Sequence, residues 1–340
     1  MKHRLLVVSV AFLLCVSCAR AVESLDPVYV DVDSPKVTAF IDEMVSTHEF
    51  DRDALRRILS QAEIKPSIIK KISTPAERTL SWAEYRKIFI TKERINAGVT
   101  FWRENRAMLE RIETETGVAI PMIVGIIGVE TYFGRITGND RVLDALATLA
   151  FDYPKRADFF RNELVQFLIL TREEGIDATV PVGSYAGAMG RPQFMPSSFR
   201  AYAVDATGDG KRDIWNSVPD ALGSTANYLK KRGWKNNMPW GWEVRLPRGF
   251  NYRMAGKKGT RSVAQWRKIG VRPAGRRDFG TDNARARLLL PVGRHGPAFL
   301  VTRNFDAILA YNRSNSYALA VAHLADRLAG AGPLVADWPT

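Results

Sequence analysis

Apolar residues recur at helical spacing over most of the chain. Val37, Phe40, Ile41, Met44 and Val45 follow Ser34 and Pro35, a suitable N-cap and first-turn proline. Leu55, Ile58 and Leu59 carry the period into a second helix, so residues 35–60 read as helical. Residues 64–80 contain Pro66 and Pro75 among serines and threonines and read as irregular. Thr91 caps an expected helix over residues 93–116, with Ile95, Val99, Trp102, Met108, Leu109 and Ile112 on one face. Residues 142–150, 155–174, 196 onward, 220–231 and 305–328 also favour helix. The period fails between Gly183 and Met195, a glycine-rich stretch that reads as a loop admitting close backbone approach. From residue 241 to 297 short apolar runs alternate with Gly, Pro and Arg, which indicates a small β subdomain. The pattern predicts a mainly α (α+β) protein.

One segment breaks the usual rules of charge placement. Residues 119–134 read AIPMIVGIIGVETYFG and carry a single charge, Glu130. A carboxylate in apolar surroundings is costly to ionise, so its pKa is expected to rise, as a general acid near neutral pH requires. The alternative is a buried structural ion pair with Arg135 or Arg141.

The full chain has 340 residues, 49 Lys and Arg against 36 Asp and Glu, and a formal net charge of +13. Such an excess calls for an anionic partner: nucleic acid, anionic lipid or an anionic wall polymer. The first 21 residues, with Lys2 and Arg4 before an apolar run and small residues after it, read as an export signal too short to span a membrane. Two processing routes fit: cleavage after Ala19-Arg20-Ala21, or lipidation of Cys18. Cys15 and Cys18 are the two cysteines of the chain, so no disulfide or cysteine metal site is expected after processing. His48, His295 and His323 are scattered, and no zinc, phosphate-loop or serine-hydrolase motif occurs.

Residues 205–216 read DATGDGKRDIWN, with the spacing of an EF-hand loop. Asp205, Thr207, Asp209, Lys211 (through its carbonyl) and Asp213 fall at ligand positions, and Gly210 at the sharp turn. Asn216 stands where a bidentate Glu is usual, so a structural Ca2+ here would be weak; the alternative is a plain surface turn. Trp82, Tyr85, Tyr185, Tyr228 and Tyr311, the last followed by Asn312, offer aromatic faces with polar handles suited to sugars.

The blocks IVGIIGVETYFGR, RVLDALATLAFDYPKRADFF, GSYAGAMGRPQFMPSSFRAYAVDATGDGKRDIW and ANYLKKRGW closely resemble the membrane-bound lytic murein transglycosylase B family, from about Val37 to Leu328. The resemblance implies a lysozyme-like helical core with an added helical domain, an EF-hand-like loop and a small antiparallel β subdomain. With the pattern above it divides the chain into an export signal (1–21), an N-terminal helical domain (34–116), a lysozyme-like catalytic core with the cation loop (117–240), the β subdomain (241–300) and a C-terminal helix returning to the core (301–330). It implies cleavage of the β-1,4 bond between N-acetylmuramic acid and N-acetylglucosamine in peptidoglycan, with Glu130 as the catalytic acid. Ser184, Gln193, Tyr228, Tyr311 and Asn312 match sugar-subsite positions, and Tyr85 and Arg156 match less strongly. Lys155, Arg191-Pro192 and Asn216 depart from the family pattern. No cofactor is required by this chemistry, which needs one carboxyl group and an intramolecular attack by the sugar's own C6 hydroxyl. The expected partner is peptidoglycan in the periplasm, with outer-membrane attachment through Cys18 if lipidated. A hydrolytic muramidase and a non-catalytic wall-binding protein are the competing readings. A nucleic-acid binder is disfavoured because no motif of that class occurs.

Overall fold

The computed structural model describes residues 26–73, 82–275, 278–280 and 282–336. The export signal, with Cys15 and Cys18, lies outside them. Helices α1 (Pro35–His48), α2 (Arg52–Leu59), α3 (Pro66–Ser73), α4 (Trp82–Phe89), α5 (Lys92–Glu104) and α6 (Arg106–Thr116) form the N-terminal part. The Asp51 carboxylate accepts the Ala54 N–H to cap α2, and Thr91 accepts the Arg94 N–H to cap α5, at 2.7 and 3.1 Å.

Two expectations are corrected here. Residues 66–73, read as irregular, form α3, because Pro66 stands at its first position, where a missing N–H is harmless. The helix expected over 93–116 breaks at Asn105, whose φ of −110° and ψ of 19° are not helical. The Asn105 side-chain amide donates to the Phe101 carbonyl at 2.8 Å, which also accepts the Asn105 N–H at 3.1 Å.

Helix α7 (Ile120–Thr131) is buried on every side, as its unbroken apolar sequence demands. Around it and beyond pack α5, α6, α8 (Val142–Asp152), α9 (Ala157–Glu173), α10 (Pro196–Tyr202), α11 (Val218–Lys231), α13 (Arg303–Tyr311) and α14 (Asn315–Leu328). The stretch 305–328 is therefore two helices, split at residues 312–314 where Ser314 caps α14 by accepting the Tyr317 N–H. Strands β1 (Asp140–Arg141) and β2 (Val182–Gly183) pair antiparallel beneath the glycine-rich loop.

Strands β3 (Gly241–Arg245), β4 (Arg261–Ser262), β5 (Arg272–Pro273), β6 (Arg285–Leu289) and β7 (Ala298–Val301) form an antiparallel sheet in the order β4-β6-β7-β3-β5, with α12 (Val263–Lys268) against it. Its core holds Trp242, Val244, Trp266, Leu288 and Leu300. Strand β7 alternates: Ala298 and Leu300 face that core, while Phe299 and Val301 join the main helical one.

Candidate active site

Glu130 is the penultimate residue of α7 and half-buried. Helix α14 crosses α7 closely because Gly125 has no side chain: a Cβ there would meet the Val321 carbonyl at 3.1 Å and the Ala325 methyl at 3.3 Å. Small residues on both helices thus bring Tyr317 to the acid, and its hydroxyl donates to Glu130 Oε1 at 2.6 Å. Tyr317 is fully enclosed. Burial first, and then the charge of Glu130, push its hydroxyl well above the usual tyrosine range, so it stays protonated and serves as a donor. The two arginines considered as ionic partners for Glu130 are engaged elsewhere. Arg141 pairs with the buried Asp144 at 2.8 Å, and Arg135 lies 5.0 Å over the Tyr132 ring.

Beyond Glu130 the chain turns through three consecutive positive φ values: 51° at Tyr132, 62° at Phe133 and 86° at Gly134. Gly134 is required twice over, since a Cβ there would also fall 1.9 Å from the Arg191 guanidinium. Thr131 fastens this turn. Its hydroxyl donates to the Arg191 carbonyl at 2.9 Å and accepts the Gly134 N–H at 3.0 Å. The glycine-rich loop is thereby tied to the helix end carrying Glu130.

Within that loop Gln193 adopts a φ of 51°, and its amide donates to the carbonyls of Thr137 and Gly190 at 3.0 and 2.9 Å. Ser184 Oγ accepts the N–H groups of Ala186 and Ala188 at 3.3 and 3.1 Å, which leaves its own O–H as a donor. Tyr311 donates to the Pro192 carbonyl at 2.7 Å and stacks on Tyr317, with ring centres 6.4 Å apart. Tyr228 lies behind Tyr311, 4.6 Å between ring centres, and donates to the Ala310 carbonyl at 2.5 Å. Tyr85 is buried in α4 between Trp82 and Phe89.

A groove of about 990 Å³ reaches this constellation at Tyr311, and Glu130 itself is not among its lining residues. Tyr311 and Asn312 line it together with Tyr185, Met195 and Arg156, whose guanidinium stacks 4.1 Å over Phe159. The structure thus gathers Tyr311, Asn312 and Arg156 on one groove. Gln193 and Ser184 sit in the adjoining loop, Tyr228 packs against Tyr311 and Phe194, and Tyr85 lies in α4 outside the groove lining. Tyr317 was missed by sequence reasoning. In SYALAVAHL it looks like another core position, and the helix break that aims it at Glu130 is marked only by Asn312 and Ser314.

The EF-hand-like loop closes largely on itself. Asp205 accepts N–H groups from Thr207, Gly208 and Gly210, a set that holds its carboxyl below the usual range, with the Gly210 bond the largest cause. Asp213 accepts the backbone and side-chain amides of Asn216, and Asp209 accepts the Lys211 N–H. Below them the fully buried Asp220 accepts the N–H groups of Ala206 and Asp213 and joins the loop's two ends. Among the described residues no three Asp, Glu, His or Cys side chains converge on a metal-sized space. In this arrangement the residues do not form a ready ligand cage.

A helical core that presents one half-buried carboxyl group beside an open aromatic groove defines a glycan-cleaving protein of lysozyme-like architecture. The chain belongs to the transglycosylase SLT domain family, whose model matches residues 33–326. It is 41% identical over 311 residues to the membrane-bound lytic murein transglycosylase B of Escherichia coli K12, covering 87% of this chain and 83% of that one. The E. coli lytic transglycosylase Slt35, solved in complex with calcium, matches with a TM-score of 0.77 and 40% identity, over 89% of this chain and 96% of that one. Pseudomonas aeruginosa SltB3, solved with NAG-anhNAM-pentapeptide, matches with a TM-score of 0.84 and 38% identity, over 89% and 80% of the two chains. The chain is a lytic transglycosylase of this family.

Proposed function

We propose that the protein cleaves the β-1,4 bond between N-acetylmuramic acid and N-acetylglucosamine in peptidoglycan, with Glu130 as its single acid and base. The observation that carries this is the Tyr317–Glu130 hydrogen bond at the end of a wholly buried helix, beside the groove. Tyr317 donates to Oε1, and the carboxyl group carries the transferable proton. Glu130 gives that proton to the glycosidic oxygen, and the bond from muramic C1 breaks. The substrate's N-acetyl oxygen stabilises the cation that develops at C1. The ionised Glu130 then accepts the proton of the C6 hydroxyl, whose oxygen closes on C1 to give the 1,6-anhydro ring. This last attack is intramolecular, so positioning replaces an activated water. No second carboxyl group is used, unlike ordinary glycosidases. In the same reading Ser184, Gln193, Asn312, Tyr311 and Arg156 contact the sugars, and Tyr228 and Tyr85 hold their supports in place.

The substrate places the protein in the periplasm, with Cys18 as an outer-membrane attachment point if it is lipidated. The loop of residues 205–216 takes calcium weakly, because the ion has to draw Asp213 away from Asn216 before it gains that carboxylate. Mass spectrometry of muropeptides released from purified sacculi tests the reaction. Anhydro-muramoyl ends are expected, and reducing muramic ends would instead make this a hydrolytic muramidase.

A further inference from the structure

The positive charge of this protein is not spread over its surface. Residues 241–300 contain 14 Lys and Arg against three Asp and Glu, while the other 280 residues carry 35 against 33. The sheet subdomain therefore holds nearly the whole excess. Its three carboxylates are already in use. Glu243 accepts the N–H groups of Val335 and Ala336, and Asp278 and Asp282 both pair with Arg267.

Four of the nine exposed cations among the described residues 241–300 lie toward one edge, that of β5. Strand β5 is a terminal strand of the sheet, and Arg272 on it stands directly opposite Arg245 on β3, both exposed. Like charges facing each other across a rung oppose sheet formation. Arg248 follows in the turn after β3. That turn abuts the one after α12, since a Cβ on Gly270 would lie 3.2 Å from Pro247, and the exposed Arg248 and Lys268 flank these two turns. Protection of an edge strand asks for a charge, not for two of one sign on the same rung.

We infer that this edge, built on Arg245, Arg248, Lys268 and Arg272, is an attachment surface for an anionic wall polymer, separate from the groove that is cut. The inference rests on the peptidoglycan reading of the groove. The ligand chemistry is a hydrated polymer bearing repeated carboxylates, as the peptide stems of peptidoglycan do. A bilayer fits less well, because Tyr252 is the one large apolar side chain notably exposed among the described residues 241–300, which leaves little to insert among lipids. The helical part cuts while the sheet edge keeps the enzyme on its substrate.

The test compares two quadruple variants in a Glu130→Gln background, so that sacculi remain intact during pelleting. One carries Arg245→Gln, Arg248→Gln, Lys268→Gln and Arg272→Gln. The other removes the same charge from exposed positions of the helical part, with Arg57→Gln, Lys87→Gln, Lys92→Gln and Arg103→Gln. The sheet variant is expected to bind purified sacculi roughly tenfold or more weakly and with a shallower salt dependence, whereas the helical variant binds nearly as its parent does. Equal losses in both would overturn the inference in favour of net charge alone. Unchanged sacculus binding with new self-association would reduce the arginine pair to edge protection, and loss of binding only to anionic phospholipid vesicles would assign the edge to membranes. With Glu130 restored, turnover of a short soluble glycan by the sheet variant should match wild type. Failure of wild type on that glycan would count against the groove reading, not the edge.

Discussion

Tyr317 and Glu130 stand 187 residues apart in sequence, yet the tyrosine hydroxyl lies 2.6 Å from the acid. The contact gives one oxygen of the acid a fixed donor. It also makes the acid dependent on a residue that does no proton transfer itself.

Replacing Tyr317 by Phe removes the donor and leaves the ring packing. A hydrogen bond to a charged group contributes about 1.5–3 kcal/mol, so kcat should fall roughly 10- to 100-fold with KM little changed. The lost donor favoured the ionised carboxyl group, so the alkaline limb of the pH–rate profile, where the general acid loses its proton, should move to higher pH. An unshifted profile with a lowered melting temperature would make Tyr317 a packing residue only.

Glu130→Gln nearly keeps the shape of the side chain but cannot carry the proton. Sacculus clearing should drop by roughly three orders of magnitude or more, with the melting temperature equal to or slightly above wild type. Clearing at near wild-type rate would remove Glu130 from the mechanism.

His323 on α14 is buried with neither ring nitrogen hydrogen-bonded. Burial first, then Arg327 and Arg86, pull its pKa down to about 4 from 6.5. The unfolded chain therefore takes up a proton near pH 6.5 that the native state refuses until about pH 4. Stability from this group is full above pH 6.5 and falls as pH drops through that window, by about 3 kcal/mol at most. His323→Leu should flatten that part of the acid limb and modestly raise stability at pH 7, as thermal melts at pH 7 and 4.5 would record. A melting curve that loses as much on acidification in the variant as in wild type would mean that other groups govern the window.

Calcium should raise the melting temperature only at millimolar concentration, in line with RT ln(1 + [L]/Kd) for a weak site. Asp209→Ala should erase the rise. Asn216→Glu replaces an amide that bonds Asp213 with a second negative charge, so the variant should melt lower in chelator and gain more from calcium than wild type. Indifference of all three proteins to the ion would make the loop a turn that Asp220 holds shut.

Much of this was legible in the chain. Glu130 stood out because a lone charge in an apolar run is expensive, and the β subdomain because helical period stops at Gly241. What stayed hidden depended on chain breaks and close approaches. Asn105 and residues 312–314 end helices without a Pro or Gly to announce it. Tyr317 is indistinguishable by period from the alanines and leucine around it. The misread α3 shows the opposite failure, where a proline marks a beginning instead of a stop. The enclosure of Tyr228 and Tyr85 by aromatic neighbours arises from how the helices pack, and no local pattern encodes that.

The close crossing of α14 on α7 at Gly125 also sets an order of events. During synthesis Glu130 precedes Tyr317 by more than half the chain, and a contact of such long sequence separation forms only once both segments are present. The acid is thus left without its donor until the last helix docks. A chain cut short before α14, or one still being synthesised, would be a defective cutter, and the wall would meet the full activity only from finished molecules.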